Sequence, residues 1–180
     1  MIELLPLTVA EYSNLENTRD YDFAMLYAFK FTDPVDEYNV GDVMELPFGF
    51  IKDFQFELEH GLTFAKLVDF VLQYTGKKTV GPQPLDKFCR FANYLKKSIE
   101  DIIEIENQTL SYEPSDKEQN AGMDRFKDLG VYLQIRSLTG GDVTKVESVR
   151  ALPYSLCFTE LFAAKQLYEY NKELNKPPGK

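Results

Sequence analysis

The chain has 180 residues but no tryptophan, one histidine and two cysteines, and this shortage restricts its chemistry. A catalytic triad needs a base next to a nucleophile, yet the only imidazole belongs to His60, which Gly61 follows. One histidine and two distant cysteines cannot hold zinc without several carboxylates. We therefore expect a non-enzymatic chain with no catalytic residue, metal site or cofactor. We interpret His60 as a helix-end residue that interacts with the helix dipole.

Long apolar runs are also missing, since no stretch approaches the roughly 18 residues that a membrane-spanning helix needs. Residues 1–8 contain neither the basic segment nor the small-residue cleavage site of a signal peptide. These features predict no membrane partner and a location in the cytosol where the chain is made, in which disulfides are rare. Cys89 and Cys157 stand among apolar residues, and both are predicted to be buried free thiols.

The net charge of -9 is unevenly distributed. Residues 1–60 are strongly acidic, residues 61–97 are basic, and residues 98–180 are mildly acidic. One interpretation is internal complementarity, in which the basic middle packs near the acidic N-terminal part. The alternative is a polar surface that meets a second copy or a partner in a fixed orientation. On either interpretation, an acidic chain with one basic stretch is a poor general binder of nucleic acid.

Hydrophobic residues make up 44% of the chain, enough for a core and too many for a disordered protein. Their spacing predicts an all-α fold of about seven helices in a compact bundle, with one short extended segment. We expect a single domain over residues 1–180. Its subdomains would be 1–76 and 84–175, joined by a linker at 77–83 that contains glycine and proline.

Capping residues and helix breakers locate the predicted elements. Thr8 and Glu11 match a capping box, Thr63 matches a helix N-cap, and Gly76 matches a helix stop. In the first half of the chain we predict a short helix after Thr8, a helix over 20–31, a loop over 32–41, an extended piece over 43–46, and a helix over 64–74. The apolar spacing of residues 48–60 fits a helix slightly better than a strand.

The longest predicted helix covers residues 85–107 and carries one apolar stripe at steps of three and four. Leu95 and Ile99 lie in this stripe and are predicted to be buried. Phe91 also belongs to it, so core packing explains this ring better than a stacking platform for single-stranded nucleic acid. Downstream we predict a surface loop over 109–122, a helix over 123–138, a short helix from Asp142 to Arg150, and a last helix from Pro153 to about Leu174.

The acidic loop over residues 33–45 is the segment whose composition suggests a cation site. An EF-hand loop that begins at Asp36 would place Tyr38 and Val40 at ligand positions, and Pro47 where the bidentate glutamate belongs. We interpret the segment as a solvated acidic loop, with weak cation binding as the alternative.

The chain holds 14 phenylalanines and 11 tyrosines, and its last helices are rich in both. Their aromatic residues occupy almost the full circumference, whereas a helix packed on one side needs an apolar stripe of only about 100°. Because aromatic residues are enriched at the centres of interfaces, we predict that residues 142–174 bind a second copy or another protein. The predicted interface residues are Tyr154, Phe158, Phe162, Tyr168 and Tyr170.

The segment 137–161, with Gly-Asp-Val-Thr-Lys at 141–145 and Leu-Pro at 152–153, resembles the closing helices of small helical proteins from tailed bacteriophages. Residues 7–16 are similar to their opening segment. The resemblance implies an accessory or assembly role in a virion, such as a tail-assembly chaperone or a minor structural protein. It also implies that the partners are further copies or other virion proteins, and it transfers no functional residue because such proteins act through surfaces.

Two other classes of function stay open beside this interaction protein. One is a helical domain that binds or converts a small molecule at a site formed only in three dimensions. The other is a DNA-binding regulator. Against the regulator, the last predicted helix offers only Lys165 and Lys172 beside three glutamates, and it lacks the side chains with which a recognition helix reads bases.

Overall fold

The computed structural model describes residues 8–14, 41–80, 84–112 and 114–175. In these ranges the chain is helical, with no strand and only two isolated β-bridges, which confirms the predicted all-α class. Three short 3₁₀ segments, Val43–Glu45, Met123–Leu129 and Val143–Lys145, accompany the α-helices. The α-helices are α1 Val9–Ser13, α2 Phe48–His60, α3 Phe64–Thr75, α4 Leu85–Thr109, α5 Asp116–Asn120, α6 Gly130–Thr139, α7 Val146–Arg150 and α8 Tyr154–Leu174.

Backbone contacts group the chain into two units. Unit 1 consists of Met1–Val43 and Phe54–Asp101, and unit 2 consists of Met44–Asp53 and Ile102–Lys180. Both α2 and α4 therefore contribute residues to each unit. The subdomains expected at 1–76 and 84–175 stay a prediction.

The described part of unit 1 has a core that is rich in aromatic rings. The Phe64 ring packs edge-on against Tyr12 at 4.8 Å and against Phe88 at 5.5 Å, and Phe54 lies 4.6 Å from Phe70. Such pairs stabilise a core beyond the area that they bury. Four helices, α1 to α4, thus contribute rings to the interior of the unit. Its fully buried side chains include Phe54, Val71, Val80, Phe88, Cys89, Phe91, Leu95 and Ile99.

The helix signals of unit 1 behave as predicted. Thr8 caps α1 through a complete capping box with Glu11, Thr63 caps α3, and Gly76 ends α3 in the left-handed conformation at φ 63°. The stripe of α4 faces the core, and Leu95 and Ile99 are both fully buried, as expected. The predicted helix over 20–31 and most of the predicted loop over 32–41 lie outside the described residues.

The core of unit 2 is smaller. It is formed by the first turns of α2, the end of α4, and α6 to α8, and Phe48 stacks on Tyr154 with their ring centres 6.1 Å apart. Gly49 is needed at this contact, because an added Cβ would approach the Arg150 side chain to 3.0 Å. The buried apolar residues of the unit are Phe48, Phe50, Ile51, Ile102, Ile135, Val149, Tyr154 and Cys157.

Two predicted elements are wrong. The extended piece expected over 43–46 is a 3₁₀ turn, Val43–Glu45, in which Val43 is buried. The loop expected over 109–122 contains α5, whose first turn is held by the Glu118 carboxylate as it accepts hydrogen bonds from the Ser115 amide and hydroxyl at 2.8 and 2.6 Å. The Ser-x-x-Glu capping pattern at 115–118 was visible in the sequence.

The helix expected over 123–138 is only partly correct. Residues Met123–Leu129 form a 3₁₀ helix, and the α-helix begins at Gly130. Gly122 precedes this segment in the left-handed conformation at φ 87°. Gly130, a poor helix former, interrupts the apolar pattern from which a single helix was predicted. The 3₁₀ geometry brings side chains three residues apart into line, so Met123, Phe126 and Leu129 lie along one side of this segment.

Candidate interaction surface

The start of α8 is fixed in unit 2 by backbone hydrogen bonds to the segment before α2. The Phe48 amide donates to the Leu152 carbonyl, and the Tyr154 amide donates to the Leu46 carbonyl, each at 2.8 Å. Pro47 and Pro153 form an isolated antiparallel bridge between these pairs. Because proline has no amide hydrogen, the bridge relies on the neighbouring amides. The direction in which α8 leaves the core is thereby defined.

A buried ion pair lies beneath this start. Lys52 is 3% exposed, and its ammonium pairs with Glu106 Oε1. The same oxygen accepts a hydrogen bond from the Tyr154 hydroxyl at 2.7 Å. The Lys52 ammonium also lies 5.5 Å from the centre of the Phe48 ring. Burial, together with the Glu106 charge, raises the pKa of Tyr154 far above its ordinary value, so this phenol stays protonated and acts as a donor.

The far half of α8 is held by a second, more exposed polar cluster. Tyr168 donates to Glu118 Oε1 at 2.7 Å and lies 3.2 Å from the Tyr112 hydroxyl. Lys172 donates to the Tyr112 hydroxyl at 3.1 Å. Hydrogen bonds from Ser115, then from Tyr112 and Tyr168, hold the pKa of Glu118 well below its ordinary value. This cluster joins α8 to the segment around α5.

Between these two attachments α8 has two faces. Its inner face carries Tyr154, Cys157, Leu161, Lys165 and Lys172, which are all buried or half-buried. An apolar set at helical spacing lies on the opposite side, and all five of its residues are exposed. We call this set the outer stripe: Leu156, Ala163, Leu167, Tyr170 and Leu174.

A second exposed apolar set precedes α8 in the chain. The 3₁₀ segment 123–129 and the first turns of α6 leave more than a third of each of six large apolar side chains in contact with solvent. Isolated exposed leucines are normal, but a run of this length in one segment is not. The residues are Met123, Phe126, Leu129, Val131, Tyr132 and Leu133.

The five predicted interface residues fall into two groups. Tyr154 is 1% exposed and Phe158 is half-buried beside it, with the ring centres 6.0 Å apart. Phe162, Tyr168 and Tyr170 are 40, 46 and 61% exposed. The structure therefore places Tyr154 in the core as a hydrogen-bond donor, and it leaves the other three on the surface. Their role in an interface stays a prediction.

Sequence reasoning missed the outer stripe, because it singled out aromatic residues. Three of the five stripe residues are leucines, and only Tyr170 was among the predicted interface residues. The sequence did contain a signal for the stripe. Residues 163, 167, 170 and 174 follow steps of four, three and four, a spacing that is typical of a helix packed against another along its length.

Each unit also contains a concavity with apolar residues in its lining. In unit 2 a groove of about 330 Å³ lies beside Leu156, with Leu138, Val149 and Leu152 among its lining residues. In unit 1 a cavity of about 410 Å³ is lined chiefly by Leu58, Leu62, Phe64, Leu67 and Ala92, and Lys96 and Glu100 stand beside these apolar residues.

The two cysteines and the histidine of the chain take part in structural contacts. Neither cysteine is in a disulfide, as predicted. Burial raises the pKa of the Cys89 thiol to about 12, and it also raises the pKa of Cys157, so burial disfavours the thiolate form of each. His60 is the last residue of α2, where its ring stacks on Phe56 at 4.0 Å. Within the described ranges no three acidic, cysteine or histidine residues are close enough to hold a metal ion.

Comparisons with family models, with curated proteins and with solved structures gave no match. No helix in the described part of the chain is both long and apolar enough to cross a membrane. The arrangement of unit 2 is therefore the basis on which a function can be argued.

Proposed function

We propose that this chain is a non-enzymatic interaction protein that associates with its own copies through unit 2. One observation carries the proposal. Of sixteen large apolar side chains exposed in the described ranges, fourteen lie between residues 123 and 174. Monomeric proteins rarely expose contiguous apolar patches larger than a few hundred Å². A concentration of this kind is typical of a surface that a partner covers.

The two attachments of α8 support the proposal because they make the surface rigid. The Lys52 ion pair and the Tyr168 cluster hold both halves of the helix, so little conformational entropy is lost when a partner binds. A rigid helix with an apolar outer face is suited to assembly.

The resemblance of segments 7–16 and 137–161 to small helical proteins of tailed bacteriophages supports a more specific role. We propose that the chain acts as an accessory or assembly protein of a virion. Its partners would be further copies or other virion proteins, met in the host cytoplasm or in the particle.

Sedimentation velocity at micromolar concentration tests self-association. We expect the unmodified chain to form species larger than a monomer, and Phe162→Glu and Tyr170→Glu to sediment as monomers. Phe56→Glu is a matched control, because Phe56 is an equally exposed ring of unit 1, at 56%, and this variant should associate normally. A folded monomer at every concentration, together with unchanged binding of neighbouring gene products by both unit 2 variants, would overturn the proposal.

The cavity of unit 1 favours a second candidate, a domain that binds a small molecule. Its volume of about 410 Å³ lies within the range of ligand pockets, roughly 300–1,000 Å³. Lys96 and Glu100, which pair with each other at 3.6 Å, line it together with apolar side chains, so a ligand with both an apolar and a charged part would fit it. A rise in melting temperature with a long-chain aliphatic carboxylate, reduced in Leu58→Glu, would support this candidate over the first.

A further inference from the structure

The cavity of unit 1 lies where three helices of the unit meet. Its lining residues come from the last turn of α2, the turn that leads into α3, the first turns of α3 and the middle of α4, and all of them belong to unit 1. Its volume is about 410 Å³. A molecule that enters it would therefore contact three helices at once, which a depression on the surface of one helix does not permit.

Five of the eight residues that line the cavity are apolar, which favours a ligand with an aliphatic part. Leu58, Leu62 and Phe64 are half-buried, so each keeps apolar area that a ligand can remove from water. Leu67 and Ala92 are buried and complete the apolar part of the lining. An aliphatic chain would thus find contacts on several sides, as in ligand pockets generally.

Lys96 and Glu100, one turn apart on α4, add charge to this lining. Their charged groups lie 3.6 Å apart, and each side chain is 44% exposed. An ion pair that is so accessible to water contributes little to stability. A ligand that offers Lys96 a carboxylate can therefore replace the pair at small cost, since Glu100 is then solvated.

We propose that this cavity binds an amphipathic carboxylate, whose aliphatic chain lies against the apolar part of the lining and whose carboxylate pairs with Lys96. The inference rests on the second candidate function, a small-molecule site in unit 1, because it names the class of ligand for the same cavity. It does not depend on association through unit 2, since none of the lining residues belongs to that unit.

The charges around the cavity favour an anion over a cation. Thr63, the N-cap of α3, lines the cavity, so the partial positive charge of this helix terminus lies at its wall. The first turn of α3 is Phe-Ala-Lys-Leu and contains no acidic residue that would neutralise it. The terminus and the Lys96 ammonium both attract an anion, whereas Glu100 is the lining residue that would attract a cation. The surrounding sequence agrees, because residues 61–97 are basic overall.

Calorimetric titration with hexanoate, octanoate and decanoate, each below its micelle concentration, tests the apolar part of the site. Each pair of added methylene groups should tighten binding by roughly tenfold while the added groups are buried. Decanol and decylamine have the same chain length as decanoate and test the charge. Decanoate should bind more tightly than either, because only its carboxylate gains from Lys96 and from the N-terminus of α3.

Substitutions on α4 test the role of Lys96. Lys96→Gln should weaken the binding of decanoate by roughly two- to fivefold, the range of an exposed ion pair, whereas Glu100→Gln should strengthen it, because the competing carboxylate is removed. A pair with only a structural role would give both variants an effect of the same sign. Lys97→Gln is the matched control and should leave binding unchanged. Lys97 pairs with Asp101 one turn later, at 2.7 Å, but stands outside the lining of the cavity.

The outcomes separate this inference from the candidate function on which it rests. A chain-length effect, a preference for decanoate, and opposite effects of Lys96→Gln and Glu100→Gln support it, provided that circular dichroism shows each variant to be folded. Decanol or decylamine bound as tightly as decanoate, or an equal loss in Lys97→Gln, overturns the inference but leaves a small-molecule site in unit 1. Binding that Leu58→Glu does not change, or no binding of any of these probes, overturns both. Association through unit 2 is unaffected by any of these results.

Discussion

Unit 1 turns its large apolar side chains inward, whereas unit 2 leaves many of its own in solvent. In the described part of unit 1, Phe56 is the large apolar residue that is mostly exposed, while unit 2 has fifteen exposed large apolar residues. The two units also differ in what lies at their centres. Unit 1 has a network of aromatic rings, and unit 2 has a lysine, a glutamate and a tyrosine joined by hydrogen bonds.

The difference suggests that the two units serve different purposes: unit 1 provides stability, and unit 2 provides the surface for association. An apolar core stabilises a fold through area removed from water, which suits unit 1. A buried ion pair adds little to the net free energy of folding. Any arrangement that separates its two charges is strongly destabilised, because each charge is then buried without a partner. In unit 2 the ion pair therefore helps to fix the position of α8 by polar contacts. The apolar side chains of the unit are not needed for this purpose, and many of them are exposed.

The largest expected effect is on the ion pair of unit 2. Lys52→Met should lower the free energy of unfolding by about 3–5 kcal/mol, because it leaves the Glu106 carboxylate without its buried cation. Chemical denaturation of the variant measures the loss. The double variant Lys52→Met/Glu106→Leu should recover a large part of it, since both charges are then removed. A loss below about 1 kcal/mol in the single variant would mean that water solvates this site as well as lysine does.

The next effect concerns the core of unit 1. Leu95→Ala should cost about 2–5 kcal/mol, since it removes a fully buried side chain and leaves a cavity. Leu167→Ala, the same change at an exposed position of unit 2, should alter the stability of the monomer by less than about 0.5 kcal/mol. If the two variants lose equal free energy of unfolding, the contrast between a packed core at Leu95 and an exposed surface at Leu167 is wrong.

Local features of the fold were predictable from the sequence, and contacts between distant residues were not. The stripe of α4 and the caps at Thr8 and Thr63 were predictable, because a cap and a period of 3.6 residues are local properties. The partners of Lys52 were not, since Glu106 lies 54 residues away and no local pattern links them. Similarly, aromatic content led to Tyr154 as an interface residue, but only its distant hydrogen bond to Glu106 explains why it is buried.

A smaller effect should appear in the reactivity of the two thiols. Cys89 lies in unit 1 and Cys157 in unit 2, and burial suppresses the thiolate of both. If the smaller core of unit 2 opens more readily, Cys157 should react with a thiol reagent at a lower denaturant concentration than Cys89. Pulse labelling followed by mass spectrometry measures each site separately. Simultaneous labelling at every concentration would show that the two units unfold as one cooperative body.

The smallest effect concerns pH and the Tyr168 cluster of unit 2. Hydrogen bonds from Ser115, Tyr112 and Tyr168 lower the folded-state pKa of Glu118 below its ordinary value of 4.5. A carboxylate whose pKa is lower in the folded state stabilises the fold above the unfolded pKa, and this contribution is lost as the pH falls through the folded pKa.

Melting temperatures of the unmodified chain and of Glu118→Gln, recorded from neutral to acid pH, test this contribution. The unmodified chain should be the more stable of the two at neutral pH, and the difference should shrink once the pH falls below about 4.5. Glu104→Gln is the control, because Glu104 is exposed on α4 and its substitution should produce no such trend. If the difference stays constant with pH, the Glu118 carboxylate does not hold the far half of α8. The outer stripe would then lose one of the two attachments that keep it rigid for a partner.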